Sequence, residues 1–375
     1  MTTDVYEKLA RHLDNLPGGF PATESGAEQR ILRRMFTPED AELALSLTLL
    51  AEEPRVIARR AGIPPEEAAR RLEVMEKKGL LFAVHPPGRP PQYMAQHFIV
   101  GLWEAQVNNL SPEFVQDVGE YMLSAFDPEI WRKAPQIRTI PVGEAVDSQL
   151  EVLAYERAEE LVRTQDRFAV APCICRREKR LASEGCDKPL ETCLSFGMAA
   201  EFNQRNGQGR AISKEDALEV LRQAETAGLV LSPANAKDAL FICACCGCCC
   251  GVLRSVKRYP RPASLVSSAF VAQVNLETCA GCGTCTDRCQ MEAVHVDDGK
   301  VVLDQERCIG CGLCVTTCPT DSLSLRRKPE SAQPYVPRDI QDTNIRLGQV
   351  RGVLTTPRLV GMVVKSRVDR LLAPR

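Results

Sequence analysis

Residues 279–289 read CAGCGTCTDRC, and residues 308–319 read CIGCGLCVTTCP. Both runs have the spacing C-x₂-C-x₂-C-x₃-C, and every cysteine of the first recurs 29 residues later in the second. Strand-like pieces flank each run, at 270–274 and 293–296 and again at 301–303 and 323–325. The segment is therefore an internal duplication. Working outward, the chain holds 18 cysteines, none before Cys173 and none after Cys318. It has only four histidines, His12, His85, His97 and His295, and His295 alone lies among the cysteine groups. Sulfur, not imidazole, is then the ligating atom. In a reducing interior so many thiols point to metal or redox chemistry more than to disulfides.

Three cysteines two residues apart wrap a loop around a cubane, so that each thiolate reaches a different iron. Small residues at Gly281, Gly283, Gly310 and Gly312 let the backbone come close and aim N–H groups at sulfur. The pattern resembles a bacterial-type two-cluster ferredoxin over residues 266–326. That resemblance implies a crossed ligand set. Cys279, Cys282, Cys285 and Cys318 would hold one [4Fe–4S] cluster, and Cys308, Cys311, Cys314 and Cys289 the other. The first repeat departs from the family by placing Gln290 where Pro usually follows the last cysteine. The competing reading is a Cys₄ zinc site in each repeat, but zinc sites usually pair two C-x₂-C elements across a longer gap.

A second set of ten cysteines lies upstream: Cys173, Cys175, Cys186, Cys193, Cys243, Cys245, Cys246, Cys248, Cys249 and Cys250. On extended chain, residues two apart face the same way. Cys173 would converge with Cys175, Cys243 with Cys245, and Cys246 with Cys248 and Cys250, unless Gly247 and Gly251 turn the chain. Six cysteines in eight residues are not core filler, although a free thiol does pack as a small hydrophobe. A third iron–sulfur site is the leading expectation, with zinc and then redox thiols as alternatives. Arg176, Arg177, Lys179, Arg180 and Lys188 stand beside the group, and cations there would offset thiolate charge. The triplet at 245–247 resembles the CCG motif of heterodisulfide-reductase-type subunits. The downstream C-x-x-C and spacing of that family are not matched, and no unusual cluster is assigned from it.

Toward the amino end, residues 1–36 read as a helix and linker. Thr37 caps a helix that opens with Pro38, Glu39 and Asp40. A short helix, a turn at Gly62 and a helix begun by Pro65 follow, then two strands at 80–84 and 92–96. Residues 37–100 thus resemble a winged-helix domain. Residues 101–265 read as a helical, mixed, cysteine-rich domain, with helix starts at Ser111 and Ser213. Residues 327–375 read as a basic tail, a partly extended arm. The fold class expected is multidomain α+β. The whole order, with APCICR at 171–176 and CCGCCC at 245–250 before the duplication, is similar to 4Fe-4S-binding proteins of anaerobic bacteria.

The chain has 375 residues, 44% hydrophobic and 26% charged, with a net charge of −2. That composition excludes a chain built wholesale for polyanions. The longest apolar run, 43–51, is too short for the roughly 18–20 residues of a membrane span. The charged first 16 residues do not read as a signal peptide, so a soluble cytoplasmic protein is expected. No phosphate-loop motif, nicotinamide fingerprint, nucleophilic triad or HExxH occurs. The three histidines His85, His97 and His295 read as surface or packing residues. The functional expectation is an electron carrier serving a redox protein partner. Two alternatives are kept. One is a cluster-dependent regulator using the winged helix on DNA, although the helix 65–78 is locally neutral. The other is an oxidoreductase using the second cysteine group. The oligomeric state is left open.

Overall fold

The computed structural model describes residues 4–146 and 150–374. Helix and strand are mixed, as expected, and the backbone falls into two compact units. One comprises residues up to Phe126, Phe202–Gln208 and Asn344 onward; the other comprises Asp127–Glu201 and Gly209–Thr343.

The first unit begins with α1 (Val5–Asp14), α2 (Ala27–Met35) and α3 (Pro38–Ala44). Thr37 Oγ1 accepts the Asp40 N–H, so α3 starts where the cap predicts. The expected helix-plus-linker over 1–36 holds two helices, because Glu28 ties the Thr23 hydroxyl and amide and folds α2 back. The leucines beyond Ala44 lie outside α3, which is shorter than its apolar run suggests. Next come α4 (Pro54–Ala61), a left-handed Gly62, α5 (Pro65–Lys77) and the hairpin β1 (Phe82–Val84) with β2 (Gln92–Met94). Then α6 (Pro112–Ala125) starts at Ser111, whose Oγ accepts the Phe114 N–H. Phe20, Phe98 and Tyr121 pack ring against ring in this core.

In the second unit, α7 (Pro128–Lys133) and α8 (Ala158–Arg163) precede a sheet. Its strands are β3 (Phe168–Pro172), β4 (Glu191–Phe196), β5 (Arg210–Ile212), β6 (Val230–Pro233) and β7 (Phe241–Cys245). They lie in the order β5-β3-β4-β7-β6, antiparallel throughout. Helices α9 (Ile174–Leu181), α10 (Gly197–Arg205), α11 (Lys214–Thr226) and α12 (Gly251–Lys257) connect or follow these strands. Ala217, Leu221 and Ala224 form the buried stripe of α11, which the Ser213–Asp216 capping box starts. The sequence reads as extended at 167–174, 229–231 and 240–242, where β3, β6 and β7 lie, whereas β4 and β5 are not anticipated in a region read mainly as helical.

The duplicated segment follows in the same unit. β8 (Phe270–Val274) pairs with β11 (Leu323–Arg327), and β9 (Val294–Asp297) with β10 (Lys300–Leu303), both antiparallel. Between β8 and β9 stands the one-turn α13 (Thr284–Arg288).

The chain ends in α14 (Ile340–Val350) and α15 (Thr356–Leu372). The expected extended arm is thus helical. Its charges explain why. Arg351 donates to the Asp14 carboxylate at 2.7 Å and to the Asp14 and Leu16 carbonyls. Asp369 of α15 takes Arg60 Nε at 2.8 Å, and Ser366 Oγ donates to buried Glu52 at 2.6 Å. Arg351 thus finds its acid within the same unit, and α15 packs on α4.

Candidate metal centres

Each cysteine loop of the duplication needs backbone that only glycine adopts freely. Gly281 and Gly310, one repeat apart, have φ of +65° and +68°. A Cβ on Gly281 would collide with the Gly299 carbonyl, and one on Gly310 with the Phe270 carbonyl. The loops therefore lie tight against the backbone of β8 and of the turn between β9 and β10. Two separate recesses result. One is lined by Cys279, Cys282, Cys285 and Cys318 with Val296, Val301 and Leu323. The other is lined by Cys289, Cys308, Cys311 and Cys314 with Met291, Ile309 and Leu313. Each takes three cysteines from one repeat and the fourth from the other.

Backbone amides point at sulfur in both. Ser322 N donates to Cys318 Sγ at 3.2 Å, and Ala293 N, at the matching place in the other repeat, to Cys289 Sγ at 3.2 Å. Ala272 N adds a contact to Cys308 Sγ at 3.4 Å. Four thiols, apolar walls and N–H donors are a donor set that suits an iron–sulfur cluster. The two recesses differ in exposure. Cys282 is exposed, and the Thr284 hydroxyl lowers its thiol pKa. Cys308 and Cys314 are buried, and burial pushes Cys311 up to about 12.

The ten upstream cysteines meet at one end of the five-stranded sheet. Cys173 follows the last residue of β3, and Cys193 on β4 sits opposite Cys243 on β7. Cys245 ends β7, opposite Val230. Expected alternation holds for part of this set. Cys175 does meet Cys173, but from the first turn of α9 rather than from a strand. Beyond Cys245 the chain turns. Cys250 becomes the N-cap of α12 and meets Cys175 and Cys245. It does not join Cys246 and Cys248. Their companions are Cys249 and Cys186, which alternation does not select.

Contact with Cys175 and then burial push Cys173 well up; contact with Cys193 and then burial do the same to Cys243. Cys246 goes the other way. Burial opposes its ionisation, but the Cys248 thiol, the Cys249 amide and Arg176 outweigh it and bring it down to about 7. Arg176 is fully buried. It donates to the Ala244 carbonyl at 3.0 Å and to Thr192 Oγ1, with Nη1 3.8 Å from Cys246 Sγ.

Gln290 has a clear role. Gly247 N donates to Gln290 Oε1 at 2.8 Å, which ties the 246–250 turn to the residue after Cys289. Proline there could not accept that bond. The histidines separate. His295 is exposed, whereas His85 Nε2 meets the buried Glu76 carboxylate at 3.0 Å. His97 is half-buried, and burial pushes its imidazole down to about 4.

No curated protein and no solved structure matches the chain. A family model of the 4Fe-4S dicluster domain matches residues 272–325. The match spans both recesses, and this segment is a ferredoxin-like iron–sulfur domain: the chain is an iron–sulfur protein.

Proposed function

We propose that the chain is an electron carrier with two [4Fe–4S] clusters, serving a redox protein partner. Cys279, Cys282, Cys285 and Cys318 hold one cluster; Cys308, Cys311, Cys314 and Cys289 hold the other. A third metal site lies among the ten upstream cysteines. The observation that carries this reading is the pair of recesses, each closed by three cysteines of one repeat and one of the other. A bound [4Fe–4S] cluster supplies a one-electron couple. The chain's residues do the rest. Eight thiols occupy every protein-ligand position and leave no iron free for a substrate. The amides of Ala293, Ser322 and Ala272 stabilise charge on sulfur and favour the reduced state. Residues 266–325 carry eight acids against three Lys/Arg, a surface that steers a basic partner.

In this reading the 37–100 segment is a winged helix that docks protein. Its helix pair and hairpin support that shape. Arg59 and Arg60, the cations most useful on a phosphate backbone, are already engaged by Asp369 and Glu52. That favours protein over DNA. No helix among the described residues is long and apolar enough to cross a membrane, and the proposed setting is the cytoplasm.

The test is iron and labile-sulfide analysis of anaerobically isolated protein with Cys282→Ser and Cys311→Ser. About eight cluster irons are expected, with about four lost in each variant. Unchanged iron in both would reject the ligand assignment. The protein should also accept about two electrons per chain from dithionite and return them to an oxidised one-electron acceptor.

A further inference from the structure

The ten upstream cysteines do not form one group. The Sγ atoms of Cys186, Cys246, Cys248 and Cys249 all lie within 4.8 Å of one another. Cys186 stands 3.9 Å from Cys246 and 3.6 Å from Cys249, and Cys248 stands 3.7 Å from Cys249. These separations decide what fits. Four thiolates bonded to one ion at about 2.3 Å in a tetrahedron are about 3.8 Å apart along each edge. A four-iron cube fills the space between its ligands and holds each thiolate on a different iron, much farther from its neighbours. The same chain provides the contrast. Among the described residues, no three of the eight recess cysteines come as close together as this foursome.

The second observation is Arg176. A buried guanidinium is costly unless anions face it. Arg176 Nη1 is 3.8 Å from Cys246 Sγ, and its buried Nε has no hydrogen-bond partner among the described residues. A cation placed there needs thiolate rather than thiol beside it. Metal binding keeps thiols deprotonated.

We propose that Cys186, Cys246, Cys248 and Cys249 hold a single thiophilic divalent ion, zinc or ferrous iron, in an all-sulfur tetrahedron separate from both cluster recesses. An S₄ donor set of tetrahedral size selects these metals. Four thiolates around a dication leave a net charge of −2, which Arg176 partly offsets. Cys173, Cys175, Cys193, Cys243, Cys245 and Cys250 fall outside that shell. The ion's task is positional. It fixes the 246–250 turn, whose Gly247 amide holds Gln290 beside Cys289. The assignment sharpens the third-site reading above and does not depend on the two clusters.

The test uses the full chain, isolated anaerobically. Metal and labile sulfide are counted, and X-ray absorption is recorded at the zinc and iron edges. Either one zinc per chain or one iron in excess of labile sulfide is expected. A zinc centre should show four sulfur neighbours at about 2.3 Å. Cys248→Ser, at an exposed position, should lose that one ion while iron paired with sulfide stays unchanged. The measurements on the unmodified chain stand even if the variant folds poorly. Absence of any such ion, or loss of four irons with four sulfides in Cys248→Ser, would overturn the proposal. Paired iron and sulfide below about eight, with the S₄ ion present, would count against the two-cluster reading and support this one.

Discussion

Gly310 shows how narrow the tolerance is at single positions. Its φ of +68° and the Phe270 carbonyl over its missing side chain leave no room for a methyl group. Gly310→Ala should cost about 1–3 kcal/mol in unfolding free energy and lower iron by the content of one cluster. Denaturant titration and iron analysis would read both, and iron unchanged from the parent would contradict the tight-loop account. Gln290 is a second such position. Gln290→Ala removes one hydrogen bond to Gly247, worth about 1 kcal/mol. It should also shift the midpoint potential of one cluster and leave the other in place, as followed by redox titration with electron paramagnetic resonance. The spacing of the recess cysteines was legible without coordinates, because each thiol falls at a fixed interval. Arg176 was visible only as one of several basic residues. Its burial against sulfur depends on where α9 starts relative to β7, which no local pattern records.

At the scale of elements, caps and turns carried the sequence reading well. Thr37, Ser111 and Ser213 each start a helix, and Gly62 separates α4 from α5. Strand positions in the duplication were equally readable from alternation. What alternation could not supply was the turn after Cys245, where Gly247 breaks the period and exchanges Cys250 for Cys249 in the close foursome. Nor could charge counting show that the basic tail is helical, because its stabilising acids, Asp14 and Glu52, lie more than 300 residues away in sequence. Burial of His97 has a consequence at this scale. Its folded pKa, about 4, lies below the ordinary 6.5, so between those values the unfolded chain binds the proton and the folded chain does not. Stability should therefore fall as pH drops from 6.5 toward 4, by up to about 1.4 kcal/mol per pH unit from this group. His12, pushed down by burial as well, adds in the same direction. A His97→Leu variant should flatten the slope of unfolding free energy against pH over that window; an unchanged slope would assign the pH sensitivity elsewhere.

On the scale of the whole molecule, exposure and charge divide the labour. One recess has an exposed cysteine, Cys282, while the other has none exposed and two buried, Cys308 and Cys314. Bleaching by ferricyanide should be biphasic, and Cys282→Ser should abolish the fast phase. A single phase in the parent protein would remove the distinction. The eight acids of 266–325 predict that reduction of a basic one-electron acceptor slows severalfold as ionic strength rises from tens to hundreds of millimolar. A rate indifferent to salt would rule out electrostatic steering. The exchange of fourth walls between the two recesses also bears on biosynthesis. A nascent chain that has emerged only as far as Cys289 owns three thiols for one cage and a single thiol for its neighbour. In the proposed ligand sets the cage of Cys289 gains its last thiol only with Cys314, and that of Cys279 only when Cys318 follows. Cofactor loading is thereby a late and ordered event, in which the cage of Cys289 owns its four thiols before that of Cys279 does.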